Sequence, residues 1–536
     1  MSSEPAPERR RWVRLCSACN NRCCFCLDRL SLDGALRPDD EILAELREGR
    51  AEGAERAVLS GGEPTLHPRL PALVRAARDL GYRWVQIITN GRRLGYPAYL
   101  GALRDAGLCE VTFSLHGSCP AVHDAIVGVP GAFDQAFAGL RAALAASLVV
   151  SVDIVLNRRN LADAPELIRR TLAAGVREYD ILWLTPFGAA AENLSRPDRL
   201  FLRPADAPAV HRVLETAQSG GAVVWTNRMP LQYLEGYEGL VQDPAKLEDE
   251  LRGRRNLLEG LLADGAPLPC RDRRRCPRCP FDAFCARLHR AVAIARGEQR
   301  ARIVRWDPAS ESQEAALRRV FPVAGAWLRA DRPAADWRAA SRRAALAARG
   351  LRLEAAPAVL AASLDALPPR TVLHLRASEV ARGLPAALRG APHELVVPLT
   401  ARLARQSDPA AFGGGTGRLV LAMPDVATGE RDGWPFAFGT AAAVRRWLRA
   451  ARAAEGFPRC LAGGRPVRPP PEAFDLGWLP GDRIDPYAVL RDFVAEANRA
   501  WSLRCARCAA RRACPGLPWA MARDVGLSIL RPLPRA

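Results

Sequence analysis

Strand-like and helix-like hydrophobic patterns alternate along the first 200 residues of the chain. Short apolar runs such as Trp84–Thr89 and Val149–Leu156 are typical of strands. Between such runs, apolar residues recur every three or four positions, which is typical of amphipathic helices. The pattern predicts strands over 11–15, 56–59, 84–89, 110–115, 149–156 and 179–184, and helices over 39–49, 70–80, 96–106, 134–146 and 162–174.

About six strand–helix units in a row predict a parallel sheet with its helices outside. Six units are too few to close an eight-unit barrel. The expected fold class is therefore α/β, a partial (β/α)6 TIM-like barrel. Chemistry in such folds gathers at the C-terminal ends of the strands. A cysteine-rich loop follows the first predicted strand, and Gly61-Gly62-Glu63 follows the second.

The remainder of the chain predicts further segments of different character. The pattern over residues 204–264 predicts mostly helix. From about 300 to 457, Ala/Arg-rich helical segments alternate with short strands, predicted over 371–375, 394–398 and 418–422. We expect four segments: a core over 11–235, a cysteine-rich region over 236–299, a second α/β module of unassigned role over 300–457, and a C-terminal cysteine-rich region over 458–536.

Composition narrows the class of protein. A chain of 536 residues with 49% hydrophobic content is long and apolar enough for packed cores. No apolar stretch is long enough to span a bilayer, and the arginines near the N-terminus are not followed by the apolar run of a signal peptide. A cytoplasmic location is therefore expected. There the 15 cysteines would stay reduced, and their clustering indicates metal ligation.

The formal net charge of +19 indicates affinity for anionic partners in general. Nearly all of the cations are arginines, with Lys246 as the single lysine, and they are spread along the chain without interleaved aromatic residues. Specific nucleic-acid binding is therefore not expected. An acidic peptide or a phosphorylated partner is equally compatible with this charge.

The cysteine loop has the spacing C-x3-C-x2-C, formed by Cys19, Cys23 and Cys26. Three thiolates can hold three irons of a [4Fe–4S] cube and leave the fourth iron open to a small molecule. Zinc is the alternative, because Cys16 and Cys19 would form one pair and Cys23 and Cys26 another. The nearby glycine–glycine–acid element favours the cluster.

The cysteine loop and Gly61-Gly62-Glu63, in this order and spacing, resemble the radical S-adenosylmethionine (radical SAM) superfamily. The resemblance implies that Cys19, Cys23 and Cys26 ligate a [4Fe–4S] cluster whose open iron chelates S-adenosylmethionine (SAM). It further implies a group of residues that contact SAM. In this chain they would be Phe25 and Leu184 at the adenine, Gly61, Gly62 and Glu63 at the ammonium, and Ser114 and Asn157 near the ribose.

Some of these residues have simpler interpretations. Ser114 and Asn157 could equally cap turns. His116 and His123 fit a pattern that the family shows in this loop, so a structural role is expected for both. Cys16, Cys24, Cys109 and Cys119 have no defensible ligand spacing and are expected to be small buried residues.

Two further cysteine sets share a C-x2-C-x5-C core. They consist of Cys270, Cys276, Cys279 and Cys285, and of Cys505, Cys508 and Cys514 with Cys460 as a fourth ligand. Four thiolates can close a [4Fe–4S] cube or hold structural zinc. The sets resemble the SPASM and twitch extensions of the superfamily, which carry auxiliary clusters. The further cysteine of the SPASM pattern is missing, and His289 and Pro518 stand in its place.

The resemblance implies an enzyme that cleaves SAM to a 5′-deoxyadenosyl radical. We expect modification, by oxidation or cross-linking, of a peptide or protein side chain. A flavodoxin- or ferredoxin-type protein would donate the electron. The short stretch before Cys19 leaves no room for a leader-peptide domain, although the module over 300–457 could serve instead. The alternatives are a radical SAM enzyme acting on a small molecule or nucleotide, and a non-catalytic iron–sulfur electron-transfer protein. The pattern identifies neither the catalytic acid or base nor the bond formed.

Overall fold

The computed structural model describes residues 9–241, 245–307, 310, 313, 317, 325–329, 350–367, 371–376, 384–412, 417–424, 433–437 and 439–534. The chain divides into two compact units. The first comprises Met1–Gln242 and Asp272–Pro280, and the second comprises Asp243–Arg271 and Phe281–Ala536. The predicted division into four segments stays a prediction.

The first unit contains a seven-stranded parallel sheet whose strands lie side by side in chain order. The strands are β1 (Arg10–Arg14), β2 (Arg56–Ser60), β3 (Trp84–Thr89), β4 (Glu110–Ser114), β5 (Val149–Leu156), β6 (Glu178–Trp183) and β7 (Val223–Asn227). Every crossover therefore steps in the same direction. Since such crossovers are right-handed, the helices lie on one face. The sheet stays open between β1 and β7, which confirms the α/β partial barrel.

Helices connect these strands at or near the predicted positions. They are α1 (Asp39–Ala51), α2 (Leu70–Asp79), α3 (Pro97–Asp105), α4 (Pro120–Val127), α5 (Ala132–Ala145), α6 (Ala164–Ala174) and α7 (Ala207–Ser219). Leu46, Leu73 and Leu140 on these helices are buried, as are Leu59 and Ile87 on the strands. This apolar layer, between the sheet and its helices, is the core of the unit.

The structure adds β7 to the six predicted strands. β7 lies within residues 204–264, which the hydrophobic pattern predicts as mostly helical. It is an edge strand, so Val223 and Trp225 are about half exposed. An edge strand lacks the double-sided burial that makes inner strands recognisable.

The other face of the first sheet carries polar residues in register. Gln86 Nε2 donates to Thr112 Oγ1 at 2.7 Å, and the hydroxyls of Thr112 and Ser151 lie 2.8 Å apart. These residues occupy neighbouring positions on β3, β4 and β5. The face of the sheet opposite the helices, here called the inner face, is therefore polar. The predicted site lies at the strand ends on this face.

The second unit contains a nine-stranded sheet whose paired strands are all parallel. From one edge to the other the order is β16, β8, β9, β10, β11, β12, β13, β14, β15. The strands are β8 (Ile303–Trp306), β9 (Gly325–Arg329), β10 (Leu351–Ala355), β11 (Val372–Leu375), β12 (Glu394–Pro398), β13 (Leu419–Ala422), β14 (Ala453–Glu455), β15 (Val467–Arg468) and β16 (Phe474–Asp475). The three predicted strands of this region are β11, β12 and β13. A short antiparallel pair joins β17 (Arg499–Ala500) to β18 (Leu517–Pro518).

The described helices of the second unit are mostly short. They are α8 (Ala245–Arg252), α9 (Arg255–Asp264), α10 (Asp282–Ala295), α11 (Pro357–Ser363), α12 (Ala386–Gly390), α13 (Ala401–Gln406), α14 (Ala441–Ala450), α15 (Pro486–Asp492) and α16 (Trp519–Val525). Across the described part of both units, no helix is long and apolar enough to cross a membrane.

One face of the second sheet carries a buried ion cluster. Arg305 on β8 is 2% exposed, and its guanidinium contacts Asp475 at 2.5 Å, Asp492 at 2.8 Å and Glu496 at 2.5 Å. Burial alone would lower the pKa of Arg305, but the three carboxylates raise it above its usual value. Arg305 also lies 5.4 Å from the ring of its neighbour Trp327. A buried cation is retained because three carboxylates surround it.

Replacing Arg305 with Met should destabilise the second unit by about 3–5 kcal/mol at pH 8, because the carboxylates lose their cation. Arg305 lowers the pKa of Glu496, against the effect of burial, so the wild-type gain is present at high pH and lost in acid. The difference between the proteins should therefore shrink only below the usual glutamate pKa of 4.5, towards pH 3. Hydrogen–deuterium exchange of residues 303–306 at both pH values measures this. Arg445→Met, at an exposed position of α14, is the control, and an equal loss in both variants would contradict the role of Arg305.

Candidate functional site

The cysteine loop follows β1 and is held against α4 by backbone hydrogen bonds. Arg22 N donates to Val127 O at 2.8 Å, and Cys24 N donates to Ile126 O at 2.9 Å. Within the loop, Cys26 N donates to Cys23 O at 3.1 Å, which turns the chain tightly between these two residues. These hydrogen bonds therefore hold the loop in place. Its three predicted ligand cysteines lie at the end of the sheet where the sequence predicts the site.

The three predicted ligand thiols of this loop influence one another electrostatically. The pKa of Cys19 is raised to about 11, chiefly by burial; the hydrogen bond from Asn21 N lowers it, while Glu63 and the thiols of Cys26 and Cys16 contribute to the rise. Burial is also the largest cause of the raised pKa of Cys23, to which Cys26, Cys19 and Cys24 add. Thiolates must be formed before they can bind metal. The group therefore suits a strongly cationic centre that compensates for several adjacent thiolates.

Gly61 and Gly62 bring the end of β2 against the start of the cysteine loop. Gly62 N donates to Cys16 O at 2.8 Å, and Glu63 N donates to Ala18 O at 2.7 Å. A Cβ on Gly61 would lie 2.6 Å from Cys16 O, and one on Gly62 would overlap the carbonyl of Ala18. Gly61 also has φ +151°, which side chains disfavour. In this structure the glycines thus allow close packing of two backbone segments.

Glu63 is 1% exposed, and donors from its own chain occupy both carboxylate oxygens. Its Oε1 accepts from Thr65 Oγ1 at 2.6 Å, from Thr65 N at 3.0 Å and from Thr89 Oγ1 at 2.6 Å, while Oε2 accepts from Asn90 N at 2.7 Å. Burial raises its pKa, and these hydrogen bonds act in the opposite direction. The carboxylate joins the turns after β2 and β3. Main-chain atoms of the Gly61–Glu63 turn are then better placed than this side chain to receive an ammonium group.

A second set of contacts joins the cysteine loop to the turn after β3. Asn90 Nδ2 donates to Asn20 Oδ1 at 2.6 Å, and Arg92 Nη1 donates to Asn20 O at 2.6 Å and to Asn21 Oδ1 at 3.0 Å. Asn21 N in turn donates to Cys19 Sγ at 3.4 Å. The position of Cys19 therefore depends on three consecutive strand ends.

Phe25 and Leu184, both predicted at the adenine, belong to one buried apolar cluster with Ile126, Leu200 and other residues. They lie on separate loops, after β1 and β6, and the fold brings them together. The ring of His116 meets that of Phe25 edge-on, with centroids 4.8 Å apart. Burial lowers the pKa of His116 to about 3, so its imidazole is neutral at physiological pH.

Ser114 and Asn157, both predicted near the ribose, have different surroundings. Ser114 ends β4, half-buried and in register with Asp153 on β5. Asn157 is fully buried, its Nδ2 donates to Val155 O, and its Oδ1 accepts from Arg159 N. These contacts match the turn-capping interpretation of Asn157. A cofactor contact stays a prediction for both residues.

Sequence reasoning missed Gly188, which packs against the last residue of the cysteine motif. A Cβ on Gly188 would overlap the carbonyl oxygens of Cys26 and Leu27, and its φ of +54° lies in the left-handed region. Ala189 N donates to Cys26 O at 2.9 Å. The segment Pro186-Phe187-Gly188 after the sixth strand was the available indication, because Pro and Gly close together are typical of a turn.

The four cysteines of the C-terminal set line one cavity in the second unit. Cys460, Cys505, Cys508 and Cys514 share it with Trp501. Burial raises the pKa of Cys460, and the thiols of Cys514 and Cys505 raise it further. Although Cys460 is 45 residues before Cys505 in the numbering, the fold brings it to the other three.

Donors surround these four thiols. Arg531 N donates to Cys460 Sγ at 3.4 Å, and Leu533 N donates to Cys508 Sγ at 3.3 Å. The Nε1 of Trp501 is shielded from solvent and has no hydrogen-bond partner among the described residues. The same holds for Nε of Arg499. Arg499 is electrostatically coupled to Cys514. Donors and a cation around four thiols suit an anionic metal–thiolate centre.

The other four-cysteine set divides between the two units. Cys276 and Cys279 belong to the first unit, and Cys270 and Cys285 to the second. Cys276 opens a 3-10 turn and Cys285 lies in α10, where His289 is also found. Joint ligation by this set stays a prediction.

Among residues whose placement the structure describes, no three His, Cys, Asp or Glu side chains are grouped as a single bound metal ion requires. In a [4Fe–4S] cube, by contrast, each thiolate binds a different iron. None of the fifteen cysteines, all of which lie in the described ranges, forms a disulfide.

Part of the first unit matches a known family. The family model described as the Radical SAM superfamily matches residues 13–171. That match contains the cysteine loop, the Gly61–Glu63 turn, Ser114 and Asn157. Residues 13–171 are therefore similar to a radical SAM domain. Such a domain implies a [4Fe–4S] cluster and SAM, and the three coupled thiols of the cysteine loop fit the cluster.

Two curated relatives are similar to this chain over stretches of different length. A probable GTP 3′,8-cyclase of Saccharolobus solfataricus is 35% identical over 178 residues, which are 33% of this chain and 57% of the relative. A PqqA peptide cyclase of Ruegeria pomeroyi is 29% identical over 278 residues, or 51% of this chain and 70% of the relative. The chain thus spans less than two thirds of the first of these proteins.

Among solved structures, similarity is found to Streptococcus suis SuiB bound to precursor peptide SuiA. The TM-score is 0.36 at 15% identity, covering 44% of this chain and 52% of the other. This likeness is too slight to carry an argument about the present chain.

Gly62→Ala should remove the first cluster. The added methyl overlaps the Ala18 carbonyl and displaces the cysteine loop, so about four irons per chain should be lost on anaerobic reconstitution. Iron analysis and the SAM-sensitive EPR signal measure this. Gly101→Ala, in α3 with open space around it, is the matched control. Full iron loading of Gly62→Ala would show that the close approach does not hold the loop.

Proposed function

We propose that the protein is a radical SAM enzyme that modifies a side chain of a peptide or protein. The cluster held by Cys19, Cys23 and Cys26 would supply reductive cleavage of SAM to a 5′-deoxyadenosyl radical. The observation that carries this proposal is the joint arrangement of the three coupled thiols, the Gly61–Glu63 turn and the apolar cluster of Phe25 and Leu184 at one end of the first sheet.

Each part of this arrangement has a role in the proposal. Main-chain atoms of the Gly61–Glu63 turn would receive the ammonium of SAM, since the Glu63 carboxylate is occupied. Phe25 and Leu184 would pack against the adenine and exclude water from it. The ribose would meet Ser114 at the end of β4. His116, neutral and buried, would orient the Phe25 ring.

The inner face of the first sheet is the proposed place of the reacting side chain. In register with Ser114 are Asp153 on β5 and Asp180 on β6. Alternation along each strand puts these side chains on the same face. A substrate held beside the ribose would therefore meet two carboxylates, which could orient its polar groups.

The peptide assignment is supported by the extent of similarity. The match to the PqqA peptide cyclase covers 51% of this chain, whereas the match to the GTP 3′,8-cyclase covers 33%. The longer match extends beyond the radical SAM domain. Action on a nucleotide is the second candidate, favoured by the higher identity of the shorter match.

We further propose that Cys460, Cys505, Cys508 and Cys514 hold an auxiliary [4Fe–4S] cluster, and that Cys270, Cys276, Cys279 and Cys285 hold another. Zinc is the alternative in both sets. An external flavodoxin- or ferredoxin-type protein would supply electrons. The cytoplasm is the proposed location, because a reducing compartment keeps the ligand thiols available.

Substituting Cys19, Cys23 and Cys26 together with Ala should lower the iron content from about twelve to about eight per chain and abolish 5′-deoxyadenosine formation. Only the cluster with an open iron binds SAM, so the remaining iron should give no SAM-dependent signal. Iron, sulfide and zinc analysis with EPR and chromatography of the nucleoside measure this. Cys109→Ala is the control. Full SAM cleavage by the triple variant would exclude the proposed site, and zinc in the outer sets would exclude auxiliary clusters.

The substrate class is tested with two probes. Synthetic peptides encoded by short reading frames beside the gene, and GTP, are each incubated with protein, SAM and dithionite. We expect a peptide to lose two hydrogen atoms per 5′-deoxyadenosine formed, because abstraction followed by oxidation or cross-linking removes them. Mass spectrometry measures the change. Consumption of GTP in place of the peptides would favour the nucleotide alternative.

A further inference from the structure

The two segments that supply the C-terminal cysteines are strongly basic. Residues 458–468 and 499–534 contain ten arginines, no lysine and a single acidic residue, Asp524. The whole chain has 77 basic and 58 acidic residues, so this excess is local. Asp524 accepts a hydrogen bond from Trp434 Nε1 at 2.9 Å and is thus already engaged.

Five of these arginines are exposed and adjoin the four-cysteine cavity; this group is called the arginine rim, and its members are Arg459, Arg504, Arg507, Arg512 and Arg531. Arg459 lines the cavity, and the backbone N–H of Arg531 donates to Cys460 Sγ. Arg504 directly precedes Cys505, Arg507 directly precedes Cys508, and Arg512 lies two residues before Cys514. The rim therefore adjoins every cysteine-bearing segment of the cavity.

The exposed arginines of the rim are not needed to balance the negative charge of a metal–thiolate centre. Arg499 already provides a cation coupled to Cys514, and its Nε is shielded from water. Solvent screens exposed cations, so their attraction to charge within the protein is weak. The exposed arginines act instead on charges that approach from solution, where a one-signed surface raises association rates.

Other features of the cavity indicate which kind of anionic partner would bind there. Cys505 and Cys508 are buried, but Cys460 and Cys514 are only partly buried, so a metal centre held there would have one side near the protein surface. Single-stranded nucleic acids bind by stacking on open aromatic faces. Here the Trp501 ring is already stacked by the Arg511 guanidinium, 4.2 Å from its centroid. A charged surface around a shallow centre, without an open aromatic face, suits an acidic protein that carries an electron.

We propose that the arginine rim docks an acidic one-electron carrier protein, which reduces the cluster held by Cys460, Cys505, Cys508 and Cys514. One electron leaves the reduced carrier and enters the cluster, and no bond or proton is transferred. This inference rests on the proposed function for the auxiliary cluster. It adds the location of the docking surface and the charge of the partner.

The test uses the full reconstituted chain with a reduced acidic [2Fe–2S] ferredoxin as the probe. Stopped-flow absorption measures electron uptake by wild type, Arg507→Glu/Arg512→Glu and Arg459→Glu/Arg531→Glu. At low ionic strength the bimolecular rate should fall about tenfold in each variant, and the difference should vanish in high salt. Reduced methyl viologen, a small cation that needs no docking surface, should reduce all proteins equally.

The matched control is Arg402→Glu/Arg405→Glu on exposed α13, which makes the same change in net charge away from the cavity lining. An equal rate loss in this control would overturn the proposal, as would unchanged rates in both rim variants with normal iron content. Loss of single-stranded oligonucleotide binding with unchanged ferredoxin rates would also overturn it. SAM cleavage with methyl viologen reports separately on the proposed enzyme. Zinc at the C-terminal cysteines would remove the auxiliary cluster without affecting that readout.

Discussion

The close packing of the Gly61–Gly62 turn on the backbone of Cys16 and Ala18 is the constraint on which the first site depends. Two backbone hydrogen bonds, from Gly62 N and Glu63 N, hold the segments together, and no side chain fits between them. The cysteine motif is thus an extension of the parallel sheet. Its backbone continues the contacts of β1 with β2 beyond the last strand residue, so the direction of β1 fixes where Cys19 lies.

Glu63 carries the same constraint to the next strand. A buried carboxylate is stable only when its oxygens are hydrogen-bonded, and here the donors come from the turns after β2 and β3. Asn90, one of these donors, also contacts Asn20 through its side chain. The acid of the glycine–glycine–acid element therefore shapes the loop that holds the thiols. Its chemical effect on any ligand would be exerted through backbone geometry.

The sequence allowed the inner strands and the residues of the first site to be predicted, because both depend on local pattern. Trp84–Thr89 and Val149–Leu156 were predicted with their observed bounds, since both are rich in the β-branched residues that favour strands. β7 escaped prediction because an edge strand exposes alternate residues. The short β14, Ala453–Glu455, is alanine-rich and resembles a helix. Gly188 was missed because its contact with Cys26 is set by tertiary packing, which spacing does not encode.

Apart from β16, which pairs with β8, the strands of the second sheet follow chain order as in the first. The polar side chains on the two sheets differ. Arg305 and its three carboxylates replace the neutral polar ladder of Gln86, Thr112 and Ser151. Glu496 joins this ion cluster to the cysteine cavity, because its side chain accepts from Arg305 while its carbonyl accepts from Arg499 at 3.1 Å. Glu496 lies in a π-helical turn, a distortion that often accompanies functional sites. Loss of charge at Arg305 would therefore alter the surroundings of the cavity as well as the stability of the sheet.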